Sequence, residues 1–199
     1  MLPSLLRLSC VLLWGAVLAS ACGRPEAAAG QDGVNPRAAA LKEFGDRTQA
    51  YMELHHRLAA RVPPLLAQAT AEQIQRHQIA LANAIRSARP RARQGEIFTP
   101  PVVPQFRTVI RADLRSRDTR QAMAAMQQVP PTVAINVNDH WPANIARGTV
   151  PPRLLNSLYR LPEGLEYRFL GRHLVLVDST ADLIVDYISN VVPSVIRRR

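Results

Sequence analysis

The chain has 199 residues and carries 25 Lys and Arg against 15 Asp and Glu, a formal charge of +10. That length suits one domain or two small ones, and 47% hydrophobic residues exclude a wholly disordered chain. Aromatic residues, at 5%, are too few to build stacking platforms on a basic surface, so no nucleic-acid partner is expected despite the charge.

Residues 1–21 have the form of a secretory signal peptide. Leu8 to Ala21 are uncharged and mostly apolar. The run is shorter than the ~20 residues a membrane span needs, and small residues follow it. Leu18-Ala19-Ser20-Ala21-Cys22 is similar to a bacterial lipoprotein box, in which Cys22 receives the lipid. Ala19-Ser20-Ala21 also suits the ordinary signal peptidase. The expected location is therefore the bacterial cell envelope, with a lipid anchor in the membrane and the body facing the periplasm. The alternative is soluble periplasmic export. Residues 22–34, small and punctuated by Gly and Pro, read as a flexible tether. Cys10 and Cys22 are the only cysteines, so the body has no disulfide, no thiolate metal site and no Cys nucleophile.

Residues 35–130 read as helical. Asn35-Pro36 is a cap followed by a first-turn proline. Leu41, Phe44, Thr48, Tyr51, His55, Leu58 and Val62 then recur at helical spacing up to Pro63-Pro64. Thr70 and Gln73 form a capping box for a second helix, with Ile74, Gln78, Leu81, Ile85 and Ala88 as its buried stripe. Residues 89–98 are a basic loop. Thr99 is the expected cap of a third helix through Phe106, Ile110 and Leu114, with Pro104 able to delay its start. Asp118 with Gln121 would cap a fourth helix through Met126. Arg107, Arg111 and Arg115 repeat every fourth residue, placing them on one helix face. Such a face either meets water or contacts anionic head groups or an acidic envelope protein.

Residues 131–192 change period. Val133, Ile135 and Val137 alternate like a strand, residues 138–142 turn, and the stretch to Val150 has no clear period. Pro151-Pro152 opens a short helix. Three strands follow: Leu165 to Phe169, His173 to Val177 and Leu183 to Ile188, joined by short turns. The fold class is thus α+β, with three to four N-terminal helices packed on a small C-terminal antiparallel β-meander. Residues 193–199 read as a basic tail.

Pro151-Pro152-Arg153-Leu154-Leu155, Leu161-Pro162-Glu163 and Glu166-Tyr167-Arg168-Phe169-x-Gly171-Arg172 are similar to a group of uncharacterised bacterial exported proteins. Gln94 to Pro100 and Ile184-Val185-Asp186 extend the likeness over residues 40–190. In that group a helical half precedes such a meander, which implies an envelope location and no particular activity. Tyr167-Arg168, Gly171, Asp178 and Ile184-Val185 more loosely resemble the C-terminal hairpin of periplasmic nickel/cobalt-homeostasis proteins.

Motifs for chemistry are missing. The chain has no Gly-x-Ser-x-Gly, no Ser-x-x-Lys, no His-Glu-x-x-His and no phosphate-cradling glycine loop. Asp178-x-Thr180-x-Asp182 starts like a calcium loop, but Leu183 and Ser189 stand where Gly and Glu are required. His140, His173 and Asp178 could share a metal if their turns met. The expected function is a non-enzymatic binding or structural module without a cofactor. A metal-handling protein is the alternative, and an envelope hydrolase the third reading.

Overall fold

In the computed structural model, which describes residues 35–115 and 134–192, Asn35 caps the first helix through its side chain. Its Oδ1 accepts the Arg37 N–H at 3.0 Å, and helix α1 runs Pro36–Ala59. Ala40, Phe44, Thr48, Tyr51, Met52, His55 and Leu58 form its buried face. The expected signal peptide, Cys22, the tether, the helix begun by Asp118 and Gln121, and the basic tail lie outside the described residues.

Helix α2 (Ala71–Ala88) begins with the complete capping box. Thr70 Oγ1 accepts the Gln73 N–H at 3.2 Å and Gln73 Oε1 accepts the Thr70 N–H at 2.7 Å. Its buried stripe is shorter than its period. Leu81, Ala82 and Ile85 are buried, whereas Ile74 is 40% and Ile79 46% exposed. Only the C-terminal half of α2 therefore packs on the core.

Helix α3 (Val103–Asp113) starts later than Thr99. The Thr99 carbonyl accepts the N–H groups of Val102 and Val103, closing a separate turn, and Pro104 occupies the first helical turn. The Thr99 hydroxyl is buried without a partner, so it caps nothing.

The sheet is a four-stranded antiparallel meander in the order β1-β2-β3-β4. Strand β1 is Gly148–Thr149, and helix α4 (Pro152–Ser157) follows. Strands β2 (Leu165–Leu170), β3 (His173–Asp178) and β4 (Leu183–Ile188) match the expected hairpins within one residue. Leu170 pairs with His173 across a two-residue turn, where Gly171 adopts φ +56°, a left-handed conformation that costs glycine little. The strand expected over 133–137 does not form in its described part. Asn138, at φ +69°, turns the backbone out of line. Beside β4 this leaves an isolated His140–Leu183 bridge, with hydrogen bonds from the Asn138 N–H to the Ile184 carbonyl and from the Ile184 N–H to the Asp139 carbonyl. Instead β1 arises where no period was visible, and Pro151 ends it after two residues.

Apolar side chains fill both faces of the sheet. On one, Phe44, Phe98 and Phe106 pack against one another with centroids 4.8–5.3 Å apart, Phe44 and Phe98 stacked and Phe98 and Phe106 edge-on, in one core with Leu174, Leu176 and Ile188. Each such ring contributes roughly 1.5–3 kcal/mol by leaving water. On the other, Val175, Val177 and Ile184 are covered by Ile135 and Trp141. The helices were expected to cover one face; the 134–145 segment covers the second.

Candidate functional site

Two carboxylates with no solvent exposure, Asp178 and Asp186, fasten the sheet to the helical half. Asp178 closes β3. Its Oδ2 accepts the Tyr51 hydroxyl at 2.8 Å and His55 Nδ1 at 2.6 Å, while Oδ1 accepts the N–H groups of Thr180 and Ala181. Accepting from the imidazole places the proton on Nδ1. Burial, then the Asp178 charge, push the Tyr51 phenol well above its ordinary value. The Arg89 guanidinium stacks 5.1 Å from the Tyr51 ring centre.

Asp186 reaches the helical side through a β-bulge. The β3–β4 register shifts between Leu176 and Val177, so Val185 is an extra residue. Val185 joins the helix-side core, while Ile184 and Tyr187 face the other way. Asp186 thus points to the same side as Val185, as a bulge permits. There its oxygens accept four backbone N–H groups: Gly95 and Tyr187 on Oδ1, Ile97 and Phe98 on Oδ2, all at 2.8–2.9 Å. Burial raises its pKa, and those N–H groups pull it back only in part.

Arginines complete the fastening by donating to backbone carbonyls of irregular segments. Arg47 reaches Glu96 O (2.7 Å), Arg86 Asn138 O (2.8 Å), Arg107 Ser189 O (3.0 Å) and Arg172 Val192 O (2.8 Å). A guanidinium presents five donors in a fixed fork, which suits this use better than an ammonium.

The expected basic face is dismantled by these contacts. Arg107 is half-buried against Ser189, and Arg115 lies beyond the end of α3 at Asp113. Arg111 alone remains an exposed arginine on the helix. The expected metal trio is not brought together either. His173 and Asp178 sit at opposite ends of β3, ~16 Å apart at ~3.3 Å per residue. Asp178 is occupied as described, and His140 Nδ1 meets the Asp182 carbonyl at 2.9 Å. Among the described residues no group of three His, Cys, Asp or Glu is placed to hold a metal ion. His173 Nδ1 is buried without a partner, and burial, then Arg172, lower its pKa.

The Asp178–His55 pair has the form of the acid–imidazole half of a hydrolytic triad. Here it ties α1 to the end of β3, and among the described residues no Ser, Thr or Cys side chain is hydrogen-bonded to His55. Concave surface lies elsewhere. A cleft of about 650 Å3 opens between β2, α4 and residues 158–161. Leu158, Leu165 and Tyr167 floor it, and the exposed Leu155 and Tyr159 wall it. A second hollow, of about 430 Å3, lies by Leu65 and Leu66 at the α1–α2 connection. Among the described residues no helix is long and apolar enough to cross a membrane.

The Asp186 cradle and the β2 cleft were missed in the sequence. The signal for the first was an acid inside an apolar strand, Leu183-Ile184-Val185-Asp186-Tyr187-Ile188. No family model matches the chain, and neither a curated protein nor a solved structure does.

Proposed function

We propose that this chain is an exported, lipid-anchored module of the bacterial cell envelope that binds a partner and transforms no substrate. The reading is supported at the N-terminus by the apolar run ending at Leu18-Ala19-Ser20-Ala21-Cys22. The observation that carries the binding half is the division of labour among side chains. Asp178, Asp186, His55 and Tyr51 spend their polar atoms on holding helices to sheet. The β2 cleft, in contrast, offers apolar walls with a few polar groups, the make-up of a binding surface.

The test is site-specific photocrosslinking in intact cells. A photoreactive residue at Leu155 is compared with one at the exposed Gln75 of α2, each with Cys22 intact or as Cys22→Ser. A discrete adduct from position 155 alone, lost or diminished in Cys22→Ser, is expected. Identical adduct patterns from both positions, or none from either, would contradict the reading.

A further inference from the structure

We infer that the outer edge of β2 is a docking groove for an extended, acidic peptide segment of a partner protein, which adds to the sheet as a fifth strand. This deepens the binding-module reading and rests on it.

The first observation is which residues line the cleft. Leu165, Glu166, Tyr167 and Arg168 are consecutive in β2, and all four border it. Consecutive side chains of a strand point to opposite faces of a sheet. Tyr167 and Leu165 enter the helix-side core, and Glu166 and Arg168 pair with each other on their own face. The direction all four share is the backbone edge, so the cleft runs along the edge of the strand.

The second observation is that, among the described residues, half the length of this edge carries no paired strand. Strand β1 pairs only Gly148 with Phe169 and Thr149 with Arg168. Pro151 then diverts the chain into α4, so among the described residues no strand lies beyond Leu165 to Tyr167, where the Leu165 N–H donates to the Pro162 carbonyl at 3.3 Å. The N–H and C=O groups left without a strand partner there, short of the Leu165 N–H, are a template for another strand. The opposite edge of the sheet is not available in this way. Asn138 bonds to Ile184, His140 bridges Leu183 and the Gln94 side chain caps the Tyr187 carbonyl.

Charge selects the occupant. Glu166 is already satisfied by Arg168, so the two contribute no net charge. Arg160 borders the cleft, is exposed, and among the described residues has no ion-pair or hydrogen-bond partner. A strand with alternating acidic and apolar side chains suits the strand edge, the apolar walls and Arg160 together. Its backbone pairs with β2, its apolar side lies on Leu155 and Tyr159, and its acids face Arg160.

The test uses the full-length protein in detergent and fluorescein-labelled seven-residue peptides of alternating Val and Glu, read by anisotropy. Alternating Val and Lys is the charge control. Two further peptides carry N-methyl groups on alternate residues, in either of the two phases, so each blocks one edge of the peptide. The acidic peptide is expected to bind, the basic one more weakly. One N-methyl phase should weaken binding about tenfold or more and the other should not, since two lost hydrogen bonds at ~1 kcal/mol each amount to that factor. Arg160→Glu should narrow or reverse the preference between acidic and basic peptides. No binding of the acidic peptide up to about 1 mM overturns the proposal. So do equal affinities for both N-methyl phases, or a concentration-dependent dimer of the chain that occupies the edge instead. Any of these leaves the photocrosslinking from Leu155 free to succeed, so the two failures are distinguishable.

Discussion

Asp186→Asn is the sharpest perturbation of the way this fold is fastened. Each carboxylate oxygen accepts two backbone N–H groups, from four residues, with no solvent exposure. An amide offers one oxygen and one donating NH2. Whichever way the substituted amide flips, two N–H groups lose their acceptor and face another donor. A buried unsatisfied group costs roughly 1–3 kcal/mol, so the loss should be about 3–5 kcal/mol out of a total of about 5–15. The assay is urea unfolding followed by far-ultraviolet circular dichroism. With a slope of ~2 kcal/mol per molar urea, the midpoint should fall by about 1.5–2.5 M. The exposed Glu163→Gln serves as control and should stay within about 0.5 kcal/mol of the wild type. A midpoint for Asp186→Asn within about 0.3 M of the wild type, at ~2 kcal/mol per molar, would refute the claim that this carboxylate ties β4 to residues 95–98.

The arginines should divide in the same assay. Arg107→Gln, which loses the bond to Ser189, should cost about 1–2 kcal/mol, whereas Arg111→Gln and Arg115→Gln should stay within about 0.5 kcal/mol. Sedimentation with anionic vesicles should not distinguish the Arg111/Arg115→Gln double variant from the wild type, because the two side chains no longer form a stripe. Gly45→Ala should fail to deliver the ~1 kcal/mol that alanine normally adds in a helix, because the new methyl meets the Tyr159 hydroxyl. His173 gives a pH dependence. Its pKa is lower when folded than unfolded, so between the two values the unfolded chain binds more protons and stability rises with pH. Its contribution is therefore complete above the ordinary value near 6.5 and is lost as the pH falls through the lower folded value. His173→Gln should flatten the dependence of the urea midpoint as the pH falls below about 6.5.

What could be read from the sequence was local. Thr70 and Gln73, Asn35 and Pro36, and Gly171 each act on their own neighbours, and their elements stand where the pattern puts them. The apolar runs Leu174 to Val177 and Leu183 to Val185 already carried the sign of a sheet buried on both faces, which strict alternation elsewhere obscured. What could not be read was tertiary. The α2 stripe follows its period through Ile74, but Ile74 stays 40% exposed among the described residues. The Arg107, Arg111 and Arg115 spacing is helical, yet only the packed structure shows that Ser189 claims the first and that the helix ends before the third. The bulge at Val185 reverses the side to which Asp186 points, and no residue type there announces it. The β2 cleft depends on where Pro151 breaks β1, a matter of pairing across the sheet.

The proposal of a lipid-anchored binding module is tested most directly at Cys22. The measurement is mass spectrometry of the protein purified from the membrane fraction of its host. A mature chain is expected to begin at Cys22 and to carry the added mass of a diacylglyceryl group on that residue. An unmodified N-terminus at Cys22, or cleavage at another position, would contradict the lipid anchor and leave only a soluble exported body.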